Sequence, residues 1–131
     1  DRGDTHMFNG LALHATIPAS DYTRAKGWYA DKLGLTPVEA DDEQGAWYES
    51  GGVRFLVYPS AFAGTNQATA ATFRADDFDA AIAYLRSAGV TLIDYDIEGF
   101  QTVDGVFTAP DGNRAAWFMD SEGNTLAVSN M

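Results

Sequence analysis

The sequence predicts an α+β domain made of two copies of one unit, each a strand, a helix and three further strands. Three observations carry this. Two stretches with helical apolar spacing, Asp21–Gly34 and Asp76–Gly89, begin 55 residues apart, and a short apolar run precedes each. Each helix is followed by short strand-like runs separated by turn-forming residues. The chain closes on an apolar run, a polar turn and an apolar run, Ala115–Val128, with Ser121-Glu122-Gly123-Asn124 as the turn. Gly123 and Asn124 are residue types that accept the positive φ such turns need. One such unit would leave a sheet face uncovered. Two side by side curl into one cupped mixed sheet with the helices outside.

Asp1–His6 shows no periodic pattern and looks like the remnant of a cleavable tag, with Met7 as the natural start. Residues 1–7 are therefore set aside, and 8–131 is read as one domain, module one over 8–66 and module two over 67–131. Leu11–Ile17 is predicted as the first strand, stopped by Pro18. Ser20 or Asp21 caps a helix whose buried stripe is Tyr22, Ala25, Trp28/Tyr29 and Leu33, and Gly34 ends it. Strands are expected at Thr36–Ala40, Ala46–Glu49 and Val53–Tyr58. The small, polar segment Pro59–Gln67 reads as the loop joining the halves. Thr69–Arg74 opens the second half. Asp76 or Asp77 then caps a helix with stripe Phe78, Ala81/Ile82, Leu85 and Ala88, ended by Gly89. Thr91–Ile97 is predicted as a strand, Glu98–Thr108 as irregular, and Arg114–Met119 and Thr125–Val128 as the last strands.

With 131 residues, 46% of them hydrophobic, the chain suits a single core. No apolar run is long enough to span a bilayer. Cysteine is absent, which excludes disulfides and thiolate metal sites and fits a reducing cytoplasm. Acidic residues outnumber basic ones 19 to 8, a formal charge of −11. That charge argues against nucleic acid and anionic membranes as partners and favours a cationic guest, although surface acid also simply keeps a protein dispersed.

Asp21-x-x-Arg24-Ala25-x-x-Trp28-Tyr29-x-x-x-Leu33-Gly34-Leu35 resembles the opening helix signature of the vicinal oxygen chelate superfamily, which includes glyoxalase I, extradiol dioxygenases, fosfomycin-resistance transferases and bleomycin-resistance proteins. Trp117-Phe118-Met119-Asp120-Ser121-Glu122-Gly123-Asn124 is similar to its closing strand and turn, where Pro is more usual at the position of Ser121. Leu85-Arg86-Ser87-Ala88-Gly89-Val90 fits the end of its second helix. The resemblance implies paired βαβββ modules, a cupped sheet and a homodimer whose pockets lie where modules of two chains meet.

In metal-using members of that superfamily, ligands stand on the first and last strands of each module, and a divalent ion polarises vicinal substrate oxygens. His14 holds the first such position. The others fall near Leu56 or Val57, near Ala70 and near Ala127, none of which offers His nitrogen or carboxylate oxygen. A divalent metal is therefore disfavoured, and no cofactor is expected. His14 is read as a pocket or core histidine, or as a metal-independent proton carrier. The supply of aromatic residues, 3 Trp, 6 Tyr and 8 Phe, suits an aromatic-lined cup. The candidate ligand-binding set is His14, Trp47, Tyr58, Ala70, Phe73, Trp117 and Ala127. Arg54, Arg74 and Arg114 read as edge ion pairs, with ligand carboxylate binding as the alternative. Asp94 and Asp96 read as solvated. The expected function is metal-free binding of a small cationic or aromatic molecule, as in antibiotic sequestration. The alternatives are a glyoxalase-like or dioxygenase enzyme with a non-standard metal site, or with His14 acting without metal, and a subunit that only assembles with partners.

Overall fold

The computed structural model of the protein describes residues 5–131, so the first four residues of the set-aside stretch lie outside the described residues. Module one runs β1 (Thr16–Ala19), α1 (Tyr22–Trp28), β2 (Glu39–Asp42), β3 (Gly45–Ser50) and β4 (Val53–Pro59). Module two runs β5 (Thr69–Arg74), α2 (Phe78–Ser87), a small hairpin of β6 (Asp96–Ile97) and β7 (Phe100–Gln101), then β8 (Val106–Thr108), β9 (Arg114–Met119) and β10 (Thr125–Ser129). Each module forms a mixed four-stranded sheet, ordered β1-β4-β3-β2 and β5-β10-β9-β8, and no ladder joins the two among the described residues. In both, the first strand pairs in parallel with the last, and the remaining pairs are antiparallel. The repeat read from the helices is therefore a repeat of topology. No helix among the described residues is long and apolar enough to cross a membrane.

The caps act as predicted. The Asp21 carboxylate accepts from the Arg24 amide at 3.1 Å, and Asp77 accepts from Ala80 at 3.1 Å. Helix α1 continues through one π turn, Tyr29–Leu33, and stops where Gly34 takes φ 68°. Three predicted strands change. Leu11–Ile17 becomes Thr16–Ala19, because among the described residues the one backbone bond from residues 11–15 to the sheet is that of the Ala15 carbonyl, and Leu13 stays 95% exposed. Pro18 lies inside this strand rather than ending it: β1 is an edge strand, where a missing N–H costs little. Thr36–Ala40 shifts to Glu39–Asp42. Thr91–Ile97 is a strand only at its last two residues. Leu92 bridges Phe118 and the Ile93 amide donates to the Trp117 carbonyl at 2.8 Å, but the chain then leaves the sheet. Asp94 causes this: its Oδ1 accepts from Thr102 Oγ1 at 2.9 Å and from the Gly105 amide at 2.7 Å, closing a loop that returns the chain to β9 as β8. Asp94 and Asp96 thus serve the loop, Asp96 accepting from Gln101 Nε2 at 2.9 Å.

Both helix-bearing sheet faces feed one core. Ile17, Tyr48, Phe55 and Val57 from the first sheet join Phe118, Leu126 and Val128 from the second, with Ala25 and Tyr29 of the first helix and Ile82 and Leu85 of α2. Trp28 stacks on Phe118 with centroids 6.4 Å apart, and Phe55 meets Phe73 edge-on at 6.3 Å. Close backbone approach fixes the first sheet's hairpin. Gly45 has φ 108°, and a Cβ there would lie 2.3 Å from the Val57 carbonyl oxygen. Gly45→Ala is expected to lower stability by about 3 kcal/mol, read as a shift of the urea midpoint at constant slope.

Candidate functional site

Alternation along the strands divides the side chains. In the first sheet Ile17, Ala19, Ala46, Tyr48, Phe55 and Val57 are buried against the helices. Thr16, Pro18, Trp47, Arg54, Leu56 and Tyr58 therefore occupy the opposite, open face. The register places Thr16 beside Leu56, Leu56 beside Trp47 and Trp47 beside Glu39, in one row across all four strands. His14 sits one step further along. Its Nδ1 lies 2.7 Å from the Arg54 carbonyl oxygen, and its ring meets Trp47 edge-on at 5.2 Å and 71°. A carbonyl only accepts, so Nδ1 carries the proton and Nε2 is left as the acceptor of the neutral ring. Arg54 pairs with Glu39 across the same face, and the register sets Glu39 beside Trp47.

The second sheet repeats the plan. Phe118, Leu126 and Val128 face the helices, so Thr72, Trp117 and Ala127 share the open face, and the register joins them in one row. Trp117 is held by an Nε1–H bond to Thr69 Oγ1 at 3.1 Å. Three more rings close round it: Tyr95 at 5.6 Å, Phe100 at 5.2 Å and Phe107 at 6.5 Å, with Phe100 stacked on Phe107 at 4.7 Å. Under the internal repeat β3 corresponds to β9, β4 to β10 and β1 to β5. Trp47 is thus the counterpart of Trp117, Leu56 of Ala127, Thr16 of Thr72 and His14 of Ala70.

The sequence-predicted residues therefore fall into three places. His14, Trp47 and Tyr58 lie together on the first open face, and Ala70, Trp117 and Ala127 on the second. Phe73 is on the helix-facing side, against Phe55. One chain does not bring the first two groups together, because both sheets turn their backs to a common core and their open faces point away from it. Tyr95, Phe100 and Phe107 join the site without being foreseeable from pattern. They stand in a stretch without periodicity, and their only sequence signal is aromatic residues recurring among polar ones. The predicted ion pairs form: Arg54 with Glu39, Arg74 with Asp76 at 2.9 Å and Arg114 with Asp79 at 2.8 Å.

The donor set does not fit a divalent metal at the positions the superfamily uses. In the first sheet His14 lies one step from the row in which Thr16 is followed across the strands by Leu56, and in the second Thr72 is followed by Ala127, so hydrocarbon stands where oxygen or nitrogen ligands are needed. Among the described residues, no three His, Asp or Glu side chains gather closely enough to hold an ion.

A second polar cluster lies at the terminal turn and joins the modules. The Glu122 side chain is 0% exposed. It accepts from Arg24 Nε at 2.8 Å, the Asp21 amide at 2.8 Å, Ser121 Oγ at 2.8 Å and Ser20 Oγ at 3.1 Å. Burial alone opposes its ionisation, but these donors, Arg24 foremost, outweigh it and lower the pKa from 4.5 to about 2. Beside it, Asp120 accepts from the Tyr29 hydroxyl at 2.8 Å and from the Asn124 amide at 2.9 Å, while Asn124 Nδ2 donates to the Pro18 carbonyl at 2.8 Å. Burial, and then the Asp120 charge, raise the Tyr29 pKa, so its hydroxyl stays protonated and donates. These residues position α1 and β1 on the second module and face neither open surface.

No curated protein matches the chain in sequence. Solved structures do match in fold. A glyoxalase/bleomycin resistance protein from Catenulispora acidiphila superposes with TM-score 0.66 at 23% identity, covering 92% of this chain and 97% of that one. A glyoxalase family protein from Enterococcus faecalis gives TM-score 0.69 at 18% identity, covering 94% and 99%. A lactoylglutathione lyase from Agrobacterium tumefaciens gives 0.67 at 18%, covering 92% of each. A family model described as Glyoxalase/Bleomycin resistance protein/Dioxygenase superfamily matches residues 12–128. With two βαβββ modules and a match over nearly its whole length, the chain belongs to the glyoxalase/bleomycin resistance protein/dioxygenase superfamily.

Proposed function

We propose that the protein binds and sequesters a planar, cationic small molecule without transforming it. The observation that carries this is the pairing of rows: Trp47 beside Leu56 and Trp117 beside Ala127, an indole in each sheet next to a position that offers no metal ligand. Indole faces bind flat rings by stacking and cations by ring–cation attraction. The net charge of −11 favours the cationic guest. A second copy of the chain is part of the proposal. Two half-exposed aromatic faces pointing away from one core become a single enclosed pocket when the first sheet of one copy meets the second sheet of another.

Titration with basic aromatic antibiotics and with proflavine, followed by tryptophan fluorescence, tests this. Saturable quenching is expected, with the protein sedimenting at twice its 14.1 kDa. No quenching by any member of the panel, or recovery of a chemically altered ligand, would count against sequestration.

One observation favours a catalytic alternative. The bond from His14 Nδ1 to Arg54 leaves Nε2 available to take a proton from a bound substrate. A substrate turned over with a rate that His14→Gln abolishes, while binding persists, would select this alternative.

A further inference from the structure

Strand β2 is gripped from both faces of the first sheet. None of its four residues is buried, and the register joins it to β3 at Glu39–Trp47 and Asp42–Gly45, with an irregularity between them. In a regular strand Glu39 and Asp41, two residues apart, would share a face. Here Glu39 pairs with Arg54 on the open face. Asp41 instead accepts from the Tyr22 hydroxyl of α1 at 2.8 Å and pairs with Lys26 of the same helix. Ala40, between them, makes the change of face by taking φ 56°, a left-handed conformation that strains a residue with a Cβ.

Two features of this grip are unfavourable, and lifting β2 would relieve both. The first is the strain at Ala40. The second lies beneath the latch. Tyr48 of β3 is buried, and its hydroxyl makes no hydrogen bond among the described residues; the Tyr22 hydroxyl is a neighbour, but outside bonding geometry. Burial, and then the Asp41 charge, raise the Tyr48 pKa, so the hydroxyl stays protonated, a donor without an acceptor. Water would supply one once the strand moved away. Against this, β2 is held by its short ladder, by the Val38 amide bond to the Trp47 carbonyl at 2.8 Å, and by the ion pairs of Asp41 and Glu39. Solvent-accessible pairs of that kind are weak. The segment is tethered at both ends, by Leu35 packed against the core and by Gly45 against the Val57 backbone, and residues 38–44 between them are all exposed.

We propose that residues 36–44 form a releasable strap, which bows off β3 as a unit while the rest of the first sheet stays paired. Release takes Glu39 out of the row beside Trp47 and leaves Arg54 without its carboxylate. The first open face then gains a strand's width of access and an unpaired guanidinium. The release belongs to the first module and does not rest on what the open face binds.

Amide hydrogen exchange followed by NMR tests this, with Val38 reporting the strap and Leu56, bonded to the Ala15 carbonyl at 3.0 Å, reporting the sheet. The Val38 amide is expected to be at least about 100-fold less protected than that of Leu56. Ala40→Gly, which accepts the left-handed conformation, should raise Val38 protection about fivefold, and Tyr48→Phe, which removes the stranded hydroxyl, should raise it by a similar factor. Asp41→Ala and Glu39→Gln, acting from opposite faces, should each lower it about threefold. Leu56 protection should stay constant in Ala40→Gly, Asp41→Ala and Glu39→Gln. If Tyr48→Phe repacks the core, Ala40→Gly decides alone, since Ala40 is exposed. The strap is overturned if Val38 and Leu56 are equally protected, or if Ala40→Gly leaves Val38 unchanged or less protected. It is equally overturned if Asp41→Ala moves Val38 and Leu56 together, which would make the opening global.

Discussion

Glu122→Ala is expected to cost about 3–4 kcal/mol of folding stability, a fall in Tm of about 10–15 °C for a domain of this size. The carboxylate is buried and satisfied by donors from both modules: Arg24, Ser20 and the Asp21 amide on one side, and Ser121 on the other. Its removal leaves the Asp21 amide and Ser20 hydroxyl without their acceptor and detaches the start of α1 from the terminal turn. The pH dependence follows from the depressed pKa of about 2 against the ordinary 4.5. A carboxylate whose folded pKa is lowered stabilises fully above the unfolded value. That contribution falls away as pH drops from 4.5 toward 2. Urea midpoints measured through this window should decline with falling pH in the parent protein. They should decline less in Glu122→Gln, which keeps the shape but cannot ionise. Equal slopes for the two proteins would remove Glu122 from the account.

Trp47→Ala is expected to weaken the planar cation that quenches the parent protein by about 10–100-fold. Trp117→Ala should have an effect of the same order. Trp47 is the more direct test, because its one ring contact among the described residues is the edge of His14. Trp117 is embedded among three other rings, so its loss also loosens the Tyr95–Phe100–Phe107 cluster. Trp47→Phe keeps a smaller ring and should recover most of the affinity if stacking is responsible. If Trp47→Ala binds as well as the parent, the first open face is not the binding surface. Thermal stability measured alongside separates lost stacking from lost structure, since Trp47 lies outside the common core.

The helices, their capping residues and the repeat are legible in the sequence because each is written locally. Asp21 and Asp77 stand one residue before an apolar stripe, and Gly34 stands where a left-handed residue is required. The ion pairs of Arg54, Arg74 and Arg114 are legible as a class, although their partners are not. The excursion between Ile93 and Val106 is hidden, because alternation alone cannot show that the Asp94 carboxylate will bind Thr102 and Gly105 and pull the chain from the sheet. Pro18 looks like a stop because its tolerance depends on β1 being an edge, which is a property of the assembled sheet.

Residue type and local spacing suffice for the doubled strand–helix–strands plan, the absence of thiol chemistry, and hydrocarbon at Leu56 and Ala127. Folding in three dimensions was needed to make Trp47 and Trp117 counterparts, to turn Phe73 toward the seam, and to join the modules through Glu122 and Asp120. Strand side chains take their face from register, and register is set by pairing between distant stretches of chain, which no local window contains.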